Sequence, residues 1–280
     1  MKNVIKTELW KATHNKMFYI ALLFGVIIVA IHTIEVAAFV HRVTPSIFKY
    51  STSTAGISIF FSWIGVDGYY YGATLFSIVW PLLAAMPYGW SFADDRYDGK
   101  GIQIITRCSR QQYFWAKYIA VFVSGGLAVA MPMVLDMLVL AMFCPYTEIG
   151  VLSQNGPVNF NFLASLYYTH SWVYAFIWCG IDFLCGGVTA GLCLLSKINT
   201  KRRIWPVLLP FAILFLLESL KSAGLNISIF GNIIDPIYLA RPVPNTGSAN
   251  PGETILVFFG FLFVVSVCVG YWKVTKRELV

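Results

Sequence analysis

Long apolar runs separated by short polar segments leave this chain few ways to fold. The runs lie near residues 17–40, 72–92, 116–143, 169–196, 204–222 and 254–272. A bilayer core about 30 Å thick takes ~20 helical residues at 1.5 Å each, so each run is long enough to cross it. Lipid offers the backbone no hydrogen-bonding partners, which restricts spanning segments to helices or closed barrels. Runs of this length are helical. The reading is an all-α membrane protein with six transmembrane helices in one domain over residues 1–280. Composition agrees. Charged residues make up 12% of the chain, against about 25% in soluble domains, and mean hydropathy is +0.70.

The basic residues set the orientation. Sixteen of the twenty Lys and Arg fall in the N-terminal segment, the 94–117 and 197–203 loops and the tail. Arg42, Lys49, Lys221 and Arg241 fall on the other side. The excess places both termini and both loops in the cytoplasm. The net charge of +7 is therefore spent on topology, and nucleic acid is not an expected partner. Four lysines in the first sixteen residues, with no small-residue cleavage site after the first run, predict that the first span is retained. Val4, Ile5, Leu9 and Ala12 share one side of a helix, so residues 1–16 read as an amphipathic helix in the membrane interface, or as a simple basic anchor. Glu8 breaks the apolar arc. The six cysteines show neither a disulfide framework nor zinc-type pairing.

The outer segments differ in character. Residues 41–70 carry Phe60, Phe61, Trp63, Tyr69 and Tyr70, which read as an interfacial aromatic belt or as a substrate contact surface. Pro81 and Pro87 are expected to kink the second span. In the fourth, Gly187 and Gly191 could allow close helix packing, including packing against a second permease. Residues 223–253 are rich in Gly, Pro and Asn, and read as re-entrant or as lying flat at the outer surface before the last span. Asp136 and Asp182 fall inside spans, where a carboxylate costs about 2.5–3.5 kcal/mol on insertion scales, so each must face protein or water. Helix–helix hydrogen bonding, lining a substrate path and catalysis by the pair are the three readings.

No Walker A pattern, H-E-x-x-H motif or G-x-S-x-G elbow is present, so this chain is not expected to be an enzyme or to bind a cofactor. The most informative polar segment runs from Phe92 to Lys117. Asp94, Asp95, Arg96 and Asp98 lead through Gly99 and Lys100 to Ile102, Ile104 and Ile105, then to Arg107-Cys108-Ser109-Arg110, Tyr113 and Lys117. Charge mixed with bulky apolar residues suits a short element docked on a partner; an ordinary loop with basic anchors is the plainer reading.

Together these features resemble the permease subunit of an ABC-2 type transporter. The resemblance implies a cytoplasmic coupling helix between spans two and three, seated in a separate ATP-binding subunit. Its contact residues would be Asp94, Asp95, Arg96, Gly99, Lys100, Ile102, Ile104, Ile105, Arg107 and Arg110. It implies two ATP-binding subunits holding ATP and Mg, a second permease identical or homologous to this one, and a bacterial plasma membrane location. It also implies an amphipathic or hydrophobic substrate, such as a bacteriocin or lantibiotic peptide, exported or handled for self-protection. The sequence departs from the family pattern at Asp98-Gly99-Lys100-Gly101, where many members carry Glu and Gly-Thr.

Overall fold

The computed structural model describes residues 2–50, 58–97, 104, 106, 108–144, 161–195, 204–224, 228–229, 232–233, 237–242 and 252–276. Among them the chain is helical, apart from a two-residue antiparallel pairing of β1 (Ser228–Ile229) with β2 (Asn232–Ile233). The helices are α1 (Lys2–Thr13), α2 (Lys16–Tyr50), α3 (Ile59–Ser62), α4 (Tyr71–Ala85) and α5 (Ser91–Tyr97). They continue with α6 (Arg110–Leu140), α7 (Ala164–Thr169), α8 (Ser171–Gly191), α9 (Ile204–Ser222) and α10 (Gly252–Lys276).

Among the described residues five helical stretches are long and apolar enough to cross a membrane: Lys16–Arg42, Arg110–Leu140, Ser171–Leu195, Ile204–Lys221 and Gly252–Val274. The expected second span does not reach that length. Its helix, α4, stops at Ala85 after 15 residues, about 22 Å at 1.5 Å per residue, against the ~30 Å of the hydrocarbon core. A turn containing Pro87 and Gly89 follows, and α5 then starts at Ser91. A Cβ on Gly89 would meet Cys193 Sγ at 2.4 Å, so this turn lies directly on the 3-10 turn Leu192–Leu195 that follows α8. Other boundaries also moved. Ser109 caps α6 by accepting from the Gln112 N–H, which starts that helix at Arg110 rather than near 116. The expected fourth span is found at Ser171–Leu195, with His170 separating it from the short α7.

The centre of the bundle is the α6–α8 pair. Small residues bring the two backbones together. A Cβ on Gly125 would lie 2.4 Å from Ala190 Cβ, and one on Gly187 would lie 2.8 Å from the Phe122 ring. Gly191 faces the Tyr118 hydroxyl in the same way. The Gly187 and Gly191 pair is therefore used inside the chain, and the expectation that it packs against a second permease is corrected. Close approach of this kind is what holds helices together where lipid supplies no hydrophobic drive.

The two ends of the bundle are distinct. At one end α1, the 86–97 segment, the start of α6, the end of α8 and the end of α10 meet. Ala12, Tyr88, Ala120, Val121 and Ala190 pack together there, and Gln111 donates to the Tyr271 hydroxyl at 2.7 Å. At the other end the core is closed by loops. Phe60, Trp63 and Ile64 are fully buried, so these residues of the 41–70 segment are core rather than an aromatic belt; Tyr69 and Tyr71 are the exposed ones. Ile237, Leu239, Ala240 and Arg241, from a non-helical turn, are buried beside them. Irregular backbone of this kind is tolerated in membrane proteins where protein surrounds it.

Candidate functional site

The basic end is built around a lysine. Lys117 sits two turns into α6 with no exposed surface, so it is not the solvent-facing anchor expected from the sequence. Its Nζ donates to Asp95 Oδ2 and to the Ser91 carbonyl, the latter at 3.1 Å. The Tyr113 hydroxyl donates to the same Asp95 oxygen at 2.8 Å. The rings of Phe92, Tyr113 and Tyr88 surround the ammonium at 5.3, 5.4 and 5.7 Å. Such cation–π contacts add to the ion pair where water is excluded. Beside them Tyr88 donates to Glu8 Oε2 at 2.8 Å, and Lys11 binds Glu8 Oε1 at 2.8 Å. Glu8, which interrupts the apolar arc of α1, is thus the residue that bonds α1 to the turn after α4. Asn15 Nδ2 reinforces the joint by donating to the Pro87 carbonyl at 2.9 Å.

The expected coupling residues divide accordingly. Asp95 is held by Lys117 and Tyr113 of its own chain. Asp94 lies on α5, Arg96 belongs to the same helix by its backbone, and Arg110 opens α6 exposed to solvent. Ile104 packs against the cluster of Tyr113, Phe114, Tyr118, Leu194 and Val274. Gly99, Lys100, Ile102, Ile105 and Arg107 lie outside the described residues, and so does most of the expected coupling helix.

The opposite end holds a second buried polar cluster, which sequence reasoning only half found. His32 of α2 is wholly buried between two carboxylates. Its Nδ1 lies 2.8 Å from Asp136 Oδ1, and its Nε2 lies 3.3 Å from Asp67 Oδ2. Asp136 Oδ2 accepts the Ile64 N–H at 2.9 Å, and Asp67 accepts the N–H groups of Tyr69 and Tyr70 at 2.9 and 3.3 Å. Arg241 closes the cluster, its guanidinium donating to the carbonyls of Ile64, Asp67 and Ala73 at 3.1, 2.7 and 3.2 Å. Burial lowers the Arg241 pKa to about 10, so it remains charged at neutral pH. With both ring nitrogens against carboxylate oxygens, the imidazolium form of His32 would donate to both. Three neighbouring features fit this cluster. The start of α4 lies so close to His32 that a Cβ on Gly72 would come within 2.6 Å of it. Glu35 accepts the Gly72 N–H at 2.9 Å and caps α4. The Trp63 indole donates to the Met133 carbonyl at 3.0 Å. In the sequence, His32 and Asp67 carry no motif. The signal that could have found them is a charge rule: a carboxylate in a span at Asp136 needs a cationic partner, and His32 is the one basic side chain within the first span.

Asp182 is buried on α8 with no hydrogen-bond partner on its Oδ2, and the charge of Arg241 acts on it. Among the described residues no hydrogen bond joins Asp136 to Asp182. Among the described residues no group of three or more His, Cys, Asp or Glu could hold a metal ion.

A groove of about 530 Å³ opens between α8 and α10, with apolar walls. The chain matches no known family model, no characterised protein sequence and no solved structure.

Proposed function

We propose that this chain is the membrane-spanning permease subunit of an ABC-2 type transporter. It moves an amphipathic or hydrophobic substrate, such as a bacteriocin-like peptide, with ATP and Mg bound and hydrolysed in a separate subunit. In this reading six segments cross the bacterial plasma membrane, with α4 and the turn after it completing the second crossing. Both termini face the cytoplasm. Two ATP-binding subunits dock at the basic end, and a second permease, identical or homologous, completes the complex.

One observation carries the reading. The polar segment between the second and third apolar runs is anchored across its edges by Asp95 on Lys117 and near its middle by Ile104 on the Tyr113–Phe114 cluster. A plain connecting loop has no need of a buried ion pair. A segment that receives force from a partner does, because a push on it then moves α6 rather than the loop alone. From there α6 runs to Asp136, nineteen residues and about 28 Å away, where it joins the His32 cluster of the opposite end.

The test is substitution of Ile102 and Ile105 by Asp. Apolar anchors occupy the centre of a protein interface and charges its rim, so either change would disrupt the centre. Normal membrane abundance with loss of a co-purifying ATPase is the expected result. If these variants retained the ATPase, its hydrolysis and transport, or if the chain moved substrate with no ATPase present, the proposal would fail.

A further inference from the structure

We propose that the groove between α8 and α10 holds one acyl chain of a bilayer phospholipid. The inference rests on these two helices crossing a membrane and not on the transporter reading.

The groove is lined by Phe122, Ile181, Cys185, Val188, Phe259 and Phe263, among others, and none of its lining residues is charged. Its floor is recessed, with Cys185, Val188 and Phe259 at 3%, 6% and 6% exposure. Its lip is not, with Leu184 at 54% and Leu256 at 73%. The lip belongs to the outward apolar faces of two membrane-crossing helices, so the groove is continuous with the surface that meets lipid. Part of its width comes from Gly260, where an added Cβ would meet nothing within 4 Å beyond its chain neighbours and its own helix backbone.

These features select the occupant. An apolar cavity does not hold ordered water, because water needs polar partners there. A lipid headgroup, or any free anion, finds no donor on these walls. The volume of about 530 Å³ lies within the range of small-ligand sites. A peptide helix is about 10 Å across with its side chains, so the groove would take little more than about one turn of it. A single hydrocarbon chain is narrow, apolar and supplied by the surrounding phase.

The experiment uses the whole chain in vesicles of phosphatidylcholine carrying a diazirine at the end of one acyl chain. After irradiation, adducts are mapped by peptide mass spectrometry. Adducts are expected on Cys185, Val188 and Phe259. In Gly260→Phe they should fall about tenfold, equivalent to roughly 1.4 kcal/mol of binding, while adducts on Phe215, which is exposed on α9, stay constant. Val188→Phe is an independent plug from the facing helix and should act alike. Adducts confined to exposed positions such as Phe215 and Phe261 would overturn the proposal, as would floor adducts that survive both plugs. It is equally overturned if a diazirine-bearing amphipathic peptide labels the floor and the phospholipid does not.

Discussion

The Lys117–Asp95 pair makes an asymmetric prediction. Lys117 is completely buried, whereas Asp95 keeps 17% of its side chain exposed. Removing one partner of a buried ion pair leaves the other charge uncompensated and costs about 3–5 kcal/mol, while replacing both by apolar groups is often neutral or better. Asp95→Ala strands the ammonium among Tyr88, Phe92 and Tyr113 with the Ser91 carbonyl as its main remaining acceptor, so it should sit at or near that full cost. Lys117→Met strands a carboxylate that still accepts from Tyr113 and reaches water, and should cost less. Asp95→Ala combined with Lys117→Met removes both charges and should recover most of the loss, giving a coupling of about 3 kcal/mol or more. At about 2 °C or more per kcal/mol for a chain of this size, the single Asp95 variant should melt several degrees below the double. The measurement is thermal unfolding of the detergent-solubilised protein, followed by exposure of its buried cysteines to a thiol-reactive dye. Cys144, Cys179, Cys185 and Cys193 are buried free thiols suited to this. Strictly additive losses, or a Lys117 variant weaker than the Asp95 variant, would refute the argument.

Three further outcomes follow from the same geometry. His32→Ala removes the ring that Asp67 and Asp136 both contact, leaving Arg241 as the remaining cation of the cluster, and should cost about 3–5 kcal/mol; trypsin access to the 41–70 segment reports it, and unchanged protection would count against the cluster as a joint. Ile104→Asp should lower the stability of the isolated chain through the Tyr113–Phe114 cluster, whereas Ile102→Asp and Ile105→Asp should change only partner binding; equal thermal stability of all three would break that distinction. Gly125→Leu pushes side-chain atoms into Ala190 and the Ala84 carbonyl and should cost at least the roughly 1–3 kcal/mol of core overpacking, read as lost folded yield, and full yield would show that α6 and α8 pack less closely than described.

Much of the fold was legible because lipid allows so few backbone solutions. Runs of apolar residues near ~20 long could be read as helices without knowing how they pack. The second run was the exception. Its apolar length includes a turn at Pro87 and Gly89 that hydropathy does not register, since both residues count as compatible with a span. Aromatic residues misled for a related reason. Trp63 and Tyr69 look alike in a window of sequence, yet one is core and the other 70% exposed, because only the fold decides which side of a loop faces inward. Gly187 and Gly191 were legible as contact residues but not as intrachain ones, since a small-residue face carries no mark of its partner.

The polar residues teach something more specific. Asp136 could be singled out because a carboxylate in a span must be compensated, yet its partners lie 104 and 72 residues away, at His32 and the Ile64 N–H. Distance in sequence hid them. Glu8 was visible as a flaw in an amphipathic pattern, and the flaw is the residue that fixes α1 to the chain. Lys117 read as a topological anchor because basic residues beside spans usually snorkel to water. What distinguishes it is a ring of aromatic residues, Tyr88, Phe92 and Tyr113, two of which lie within five residues of the carboxylate Asp95 or of the lysine itself. A basic residue at a span end with aromatics and an acid close by should be read as a candidate interior ion pair. That rule puts Lys117 and Asp136 on one footing. They are two points, one at each end of the bundle, where the central helix α6 is joined by charge to its neighbours, so a displacement imposed at either joint has α6 as its direct mechanical route to the other.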